Sequence, residues 1–219
     1  VKQIQPDLWQ TSPRVIDDMV ATHAYLLIRP SGNLLLYGIG EGQDADLDAI
    51  EELGGVVVQV LSHRDETSPA LNQVRHRFGS RLACSELEVS SISVDAEPDL
   101  IVGPDCDDPA LAGLEIIDTP GHTDGSISFR YESPHGKSYL FTGDTIVPSL
   151  GKWATFVVDQ YGGTFEAMEQ SLVKLRDMEP DVVVPSAFVG EVSCVEMGEG
   201  EWASIVDHRL ERLRAIAPA

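Results

Sequence analysis

The chain has 219 residues, 42% hydrophobic and 23% charged, which excludes a wholly disordered polymer and suits a single domain over 1–219. Against 36 Asp and Glu stand 15 Lys and Arg, a formal charge of −21. A surface that negative repels phosphate backbones and anionic bilayers, so it argues against nucleic-acid and membrane partners and for a small-molecule substrate or ligand.

No apolar run approaches the ~20 residues that span a bilayer. Val1-Lys2-Gln3-Ile4-Gln5-Pro6 also lacks the charged-then-apolar layout of a secretory signal, so a cytoplasmic location is the expectation. Only 4 of the 15 bases are Lys. That bias, with many Asp, Val and Ala, fits a protein working in concentrated salt, where the Debye length falls to ~3 Å at 1 M. An ordinary acidic enzyme is the alternative. Cys84, Cys106 and Cys194 are widely spaced and odd in number, the pattern of reduced thiols that pack rather than pair.

In chain order, residues 24–28 and 34–37 are short apolar runs around Pro30-Ser31-Gly32-Asn33, a strand–turn–strand pattern. Leu47, Ile50 and Leu53 recur at helical spacing before Gly54-Gly55. Residues 56–61 form a continuous apolar run, as in a strand buried on both faces. Ser68-Pro69 predicts an N-cap and first helical residue, Leu71, Val74 and Phe78 the stripe, and Gly79 the end. Residues 82–84, 114–118, 126–131, 138–142 and 182–184 predict further strands. Phe165, Met168, Leu172 and Leu175 mark one long helix, and Trp202, Ile205, Val206, Leu210 and Leu213 the last. Strands alternating with helices, with hairpins mixed in, predict an α/β fold: two mixed β-sheets face to face with helices outside, a four-layer αββα sandwich.

Three strand ends carry the chemistry. They read Ser62-His63-Arg64-Asp65-Glu66-Thr67-Ser68, Thr119-Pro120-Gly121-His122-Thr123-Asp124, and Phe141-Thr142-Gly143-Asp144-Thr145. Histidines and carboxylates from separate strand ends can converge on one cation, with zinc–ligand distances of ~2.0–2.2 Å.

Together and in this order the motifs resemble the metallo-β-lactamase superfamily over nearly the whole chain. Gln5-Pro6-Asp7-Leu8-Trp9 and Ala24-Tyr25-Leu26-Leu27 resemble its opening strands, and Asp181-Val182-Val183-Val184-Pro185 the strand before its last histidine. The resemblance implies that family's αββα fold. The family's H-x-H-x-D-H motif is His63-Arg64-Asp65-Glu66-Thr67-Ser68 here, and its late Pro-Gly-His is Pro185-Ser186-Ala187. Tyr37 stands where an aspartate usually supports the histidines. By this correspondence His63, Asp65 and His122 occupy one metal's positions and Asp144 the bridging one. Thr67, Ser68 and Ala187 occupy the second metal's positions.

The expected site is therefore mononuclear, with zinc or iron held by His63, Asp65, His122 and Asp144, and with no dinuclear centre. Asp65 and Asp144 are the candidate catalytic carboxylates, Asp144 as a fourth ligand or as the group that orients water. Ester, thioester or similar bond hydrolysis is one expectation. The other is a non-catalytic binding module in which His63 and His122 are relics held as histidinium by Asp65 and Asp144. Among the remaining candidates, His23, His76, His135 and His208 are expected on the surface. Glu66 and Asp124 flank the motifs, Arg64 is expected in a salt bridge, and Trp153 is expected to pack.

Overall fold

Alternation along the strands decides how the layers form. Leu34 and Leu36 point with Tyr25, Leu27, Val58 and Val60 into one apolar cluster, and Leu35 and Leu26 point to the opposite face. The computed structural model describes residues 1–216. Its helices are α1 (Asp44–Glu52), α2 (Ala70–Phe78), α3 (Val89–Ile92), α4 (Phe165–Arg176) and α5 (Glu201–Ile216).

The first sheet runs in the order Lys2–Gln5, Leu8–Gln10, Tyr25–Leu27, Leu34–Leu36, Val58–Val60, Arg81–Cys84, Leu100–Ile101. It is antiparallel up to Leu34–Leu36 and parallel beyond. The second sheet runs Leu114–Asp118, Ile127–Glu132, Ser138–Gly143, Val182–Pro185, Val195–Glu196. Ser138–Gly143 and Val182–Pro185 are parallel, as a connection through α4 requires.

The sheets meet through Leu36, Val58 and Val60 on one side and Phe129, Phe141 and Val184 on the other. Outside the first sheet Leu47, Ile50, Ala70 and Val74 of α1 and α2 cover Leu26 and Leu35. Outside the second, Met168, Leu172, Trp202 and Val206 of α4 and α5 cover Leu140 and Val183. The result is the expected four-layer αββα sandwich. Each such buried side chain contributes about 1.5–3 kcal/mol.

The structure adds a third sheet that the sequence pattern does not predict: Lys152–Ala154, Val147–Ser149, Ala187–Val189, Val20–Thr22, Arg14–Val15. It picks up the chain just past Asp144 and Ser186 and so walls the site. Its strands have two or three residues, and all but Ala187–Val189 mix polar residues with apolar ones, so they lack the apolar runs that mark the inner strands.

The expected Ser68 cap is not made. Ser68 Oγ donates to the Ile39 carbonyl at 3.0 Å, and Pro69 flanks the first turn of α2 without a side-chain cap. His23 is a second correction. It is 6% exposed, stacks on Phe188 at 4.9 Å, and places Nδ1 2.8 Å from the Thr11 carbonyl. His76, His135 and His208 are exposed as expected. Trp153 packs edge-on against Trp202 of α5, with ring centroids 5.9 Å apart.

Candidate metal site

Each candidate ligand follows a strand. His63 lies three residues past Val58–Val60, in extended backbone, and opens a turn of 3-10 helix, Arg64–Glu66, that carries Asp65. His122 follows Leu114–Asp118, and Asp144 follows Ser138–Gly143 directly. Strand ends of this kind are where α/β folds place their sites.

Two glycines allow the approach. A Cβ on Gly143 (φ +52°) would stand 2.4 Å from Ser62 Oγ, and one on Gly38 would stand 2.0 Å from the Glu66 carbonyl oxygen. Tyr37, fully buried and itself at φ 72°, bridges the sheets behind the site. Its hydroxyl donates to the Val184 carbonyl at 2.6 Å and accepts from the Gly143 amide at 3.0 Å.

The four predicted residues come together. The His63 and His122 rings meet edge to face, with centroids 4.7 Å apart. Asp144 Oδ2 stands 3.4 Å from His63 Nε2 and 3.8 Å from His122 Nε2, and Asp65 Oδ2 stands 3.4 Å from His122 Nε2. Ligand-capable atoms of His63, Asp65 and His122 lie within 4.8 Å of one another. Asp144 Oδ1 accepts from the Ala187 amide at 3.0 Å, which aims Oδ2 at the rings.

Hydrogen bonding on the far side of each ring fixes its tautomer. His122 Nδ1 lies 3.0 Å from the Phe156 carbonyl, which can only accept, so in the neutral ring Nδ1 carries the proton and Nε2 is bare. Ser62 Oγ donates to Glu66 Oε1, leaving its oxygen to accept from His63 Nδ1 at 2.9 Å. His63 Nε2 is then bare as well. Both Nε2 atoms are buried and have no hydrogen-bond partner among the described residues. Orphaned imidazole nitrogens turned toward two carboxylates, with their outer nitrogens braced, suit a divalent cation of the zinc or iron(II) kind.

The same Nε2 of His63 is also a strong base. Burial disfavours its charge, but Asp144 and Glu66 outweigh burial and hold its pKa well above the ordinary value. Burial would raise the Asp144 pKa, and the two histidines more than offset it, so that pKa is lowered. Proton and metal thus compete for one lone pair.

The neighbouring positions have other partners. Thr67 Oγ1 donates to Asp95 at 3.1 Å, Ser68 is turned to Ile39, and Ala187 offers only its amide. Arg64 pairs with Glu88 and Asp124 and lies over the Tyr161 ring, the expected salt bridge. Glu66 is the residue that motif reading underweights. It is 5% exposed and accepts from the Ser62 amide at 2.8 Å as well as from its hydroxyl. In the sequence it is one of three consecutive charged residues, Arg64-Asp65-Glu66, and nothing in the motif sets it apart.

A family profile described as metallo-beta-lactamase superfamily matches residues 55–187. The hydroxyacylglutathione hydrolase of Cereibacter sphaeroides is 33% identical over 147 residues, covering 64% of this chain and 51% of that protein. The chain thus spans about half the length of that curated relative. Two solved structures share the fold. One is the metallo-beta-lactamase from Pontibacter korlensis (TM-score 0.72, 22% identity, 97% of each chain). The other is the mono-zinc form of the metallo-beta-lactamase FIM-1 from Pseudomonas aeruginosa (TM-score 0.71, 16% identity, 96% of this chain and 94% of that one). With the sandwich, the strand-end histidines and a profile spanning most of the motif-bearing chain, the protein belongs to the metallo-beta-lactamase superfamily.

Proposed function

We propose that the chain is a mononuclear metal-dependent hydrolase acting on a small ester, thioester or similar substrate. The observation that carries this reading is the pair of buried, bare Nε2 atoms facing Asp65 and Asp144. They lie at the wall of a cleft of about 850 Å³, a volume that suits a small molecule.

His63, Asp65 and His122 would hold the ion, with Asp144 beside them. Zinc or iron(II) there would lower the pKa of a bound water toward about 7 and polarise a carbonyl oxygen. Asp65 has the most exposed side chain of the four, at 39%, and would be the carboxylate that takes a proton from the attacking water. Asp144, anchored by the Ala187 amide, orients that water or completes the ligand set. Phe156 and Val158 line the cleft on the His122 side, apolar surface for the body of a substrate. The net charge of −21 disfavours polyanionic substrates such as nucleic acid. The name of the Cereibacter sphaeroides relative makes hydroxyacylglutathione the first compound to try.

The test is turnover of hydroxyacylglutathione and simple thioesters with zinc or iron(II) supplied. Activity should fall at least a hundredfold in His122→Ala and Asp65→Ala and on chelation. Activity indifferent to both variants would overturn the reading.

A second reading, a binding module with a decayed centre, has its own support. The Thr67 and Ser68 hydroxyls are engaged by Asp95 and the Ile39 carbonyl, and the carboxylates around His63 favour histidinium. It predicts no turnover, and cleft ligands that bind equally well with and without chelator.

A further inference from the structure

With more than twice as many acids as bases in the chain, many cations on this surface have a carboxylate beside them. Arg64, Arg75, Arg77, Arg81, Arg176 and Arg214 all do. A cavity of about 370 Å³ between the strand Lys152–Ala154 and α5 departs from that pattern. Lys152, His208, Arg209 and Arg212 line it with Trp153 and Ile205, and no acidic side chain does so among the described residues. Ile205, His208, Arg209 and Arg212 share one helix face by their three- and four-residue spacing. Like charges at that spacing disfavour the helix unless a counter-charge sits between them.

Arg209 shows the strain most clearly. Its guanidinium donates to Thr155 Oγ1 at 3.1 Å, but its Nε is buried with no acceptor among the described residues. Burial, and then the Arg212 charge, lower its pKa. Neither Lys152, Arg209 nor Arg212 forms an ion pair with any described residue.

We propose that this cavity binds a small oxyanion of at least two negative charges carrying an apolar or aromatic part. The arginine forks and Lys152 would take the oxyanion, matching the planar donor geometry that suits phosphate and carboxylate oxygens. Trp153 and Ile205 would take the apolar part. A long polyanion is excluded by the charge of the surrounding surface and by the size of the cavity.

The test is a calorimetric titration of the full chain with pyrophosphate, citrate and ADP in about 0.1 M salt. The expected result is saturable one-site binding of at least one probe, weakened at least tenfold in both Lys152→Glu/Arg212→Glu and the milder Lys152→Gln/Arg212→Gln. His63→Ala should leave it unchanged. Tighter binding of ADP than of pyrophosphate supports the apolar half, and stronger binding of citrate than of either phosphate assigns a carboxylate ligand to the same cavity. Binding of none of the three, or binding lost in His63→Ala and kept in both double variants, overturns the proposal.

Discussion

His63 and His122 stand edge to face at 88°, and the nitrogen each aims inward lacks a hydrogen-bond partner among the described residues while the outer one is held. The holders differ. A backbone carbonyl orients His122, and a serine–glutamate pair orients His63.

That difference makes His63 the more easily disturbed ring. Ser62→Ala or Glu66→Gln removes the acceptor arrangement that keeps the proton on Nδ1. Metal affinity should fall about 10–100-fold in either variant, measured by competition with a chromophoric chelator. Unchanged affinity in both would show that the pair does not brace the ring.

Tyr37→Phe leaves the Gly143 amide and the Val184 carbonyl without their shared hydroxyl in a fully buried position. The expected cost is about 1–3 kcal/mol, read as a lower denaturant midpoint at an unchanged slope. A midpoint within error of the parent would contradict that account.

Gly143→Ala forces a methyl to 2.4 Å from Ser62 Oγ at a φ of +52°. Either Ser62 or the Asp144 backbone must shift. Metal affinity should drop at least tenfold while circular dichroism stays that of the parent sandwich. Parent-like affinity would mean the site is looser than its packing indicates.

His23 carries a pH dependence of its own. Burial, partly offset by the Thr11 carbonyl, lowers its pKa. Folding therefore favours the neutral ring, and the unfolded chain binds more protons as pH falls through about 6.5. Stability should decline from about pH 6.5 downward and stop declining on this account below the lowered folded value. His23→Gln should remove that component from a series of denaturant midpoints. An identical pH profile in the variant would contradict it.

Salt should stabilise the fold. A formal charge of −21 repels itself, and raising KCl from 0.1 M to 1 M shortens the screening length from about 10 to about 3 Å. The thermal midpoint should rise across that range. A flat or falling midpoint would remove the concentrated-salt interpretation of the composition.

Much of the sandwich is legible because its inner strands lie in apolar runs such as 24–28, 34–37 and 56–61, and those of the second sheet reach five or six residues. Residues 114–118 are read to the residue, and the stripes of α4 and α5 identify the faces that cover Leu140 and Val183. The third sheet is not legible: most of its two- and three-residue strands mix polar with apolar residues, and its two local hairpins join only through the distant strand Ala187–Val189. Its place beside a predicted turn puts His23 on the surface, but its partner Thr11 and its stacking partner Phe188 come from elsewhere in the chain. The four site positions follow from motif order alone. The work of Glu66 does not, because it depends on the close approach of Gly38 and Gly143 to the Ser62–Glu66 turn.

Metal stoichiometry tests the central claim most directly. The chain, stripped with chelator, re-equilibrated with zinc or iron(II) and freed of excess, should hold one ion by elemental analysis, and less than about a tenth of one in His63→Ala and His122→Ala. Two ions per chain, or one ion retained in both variants, would contradict the account.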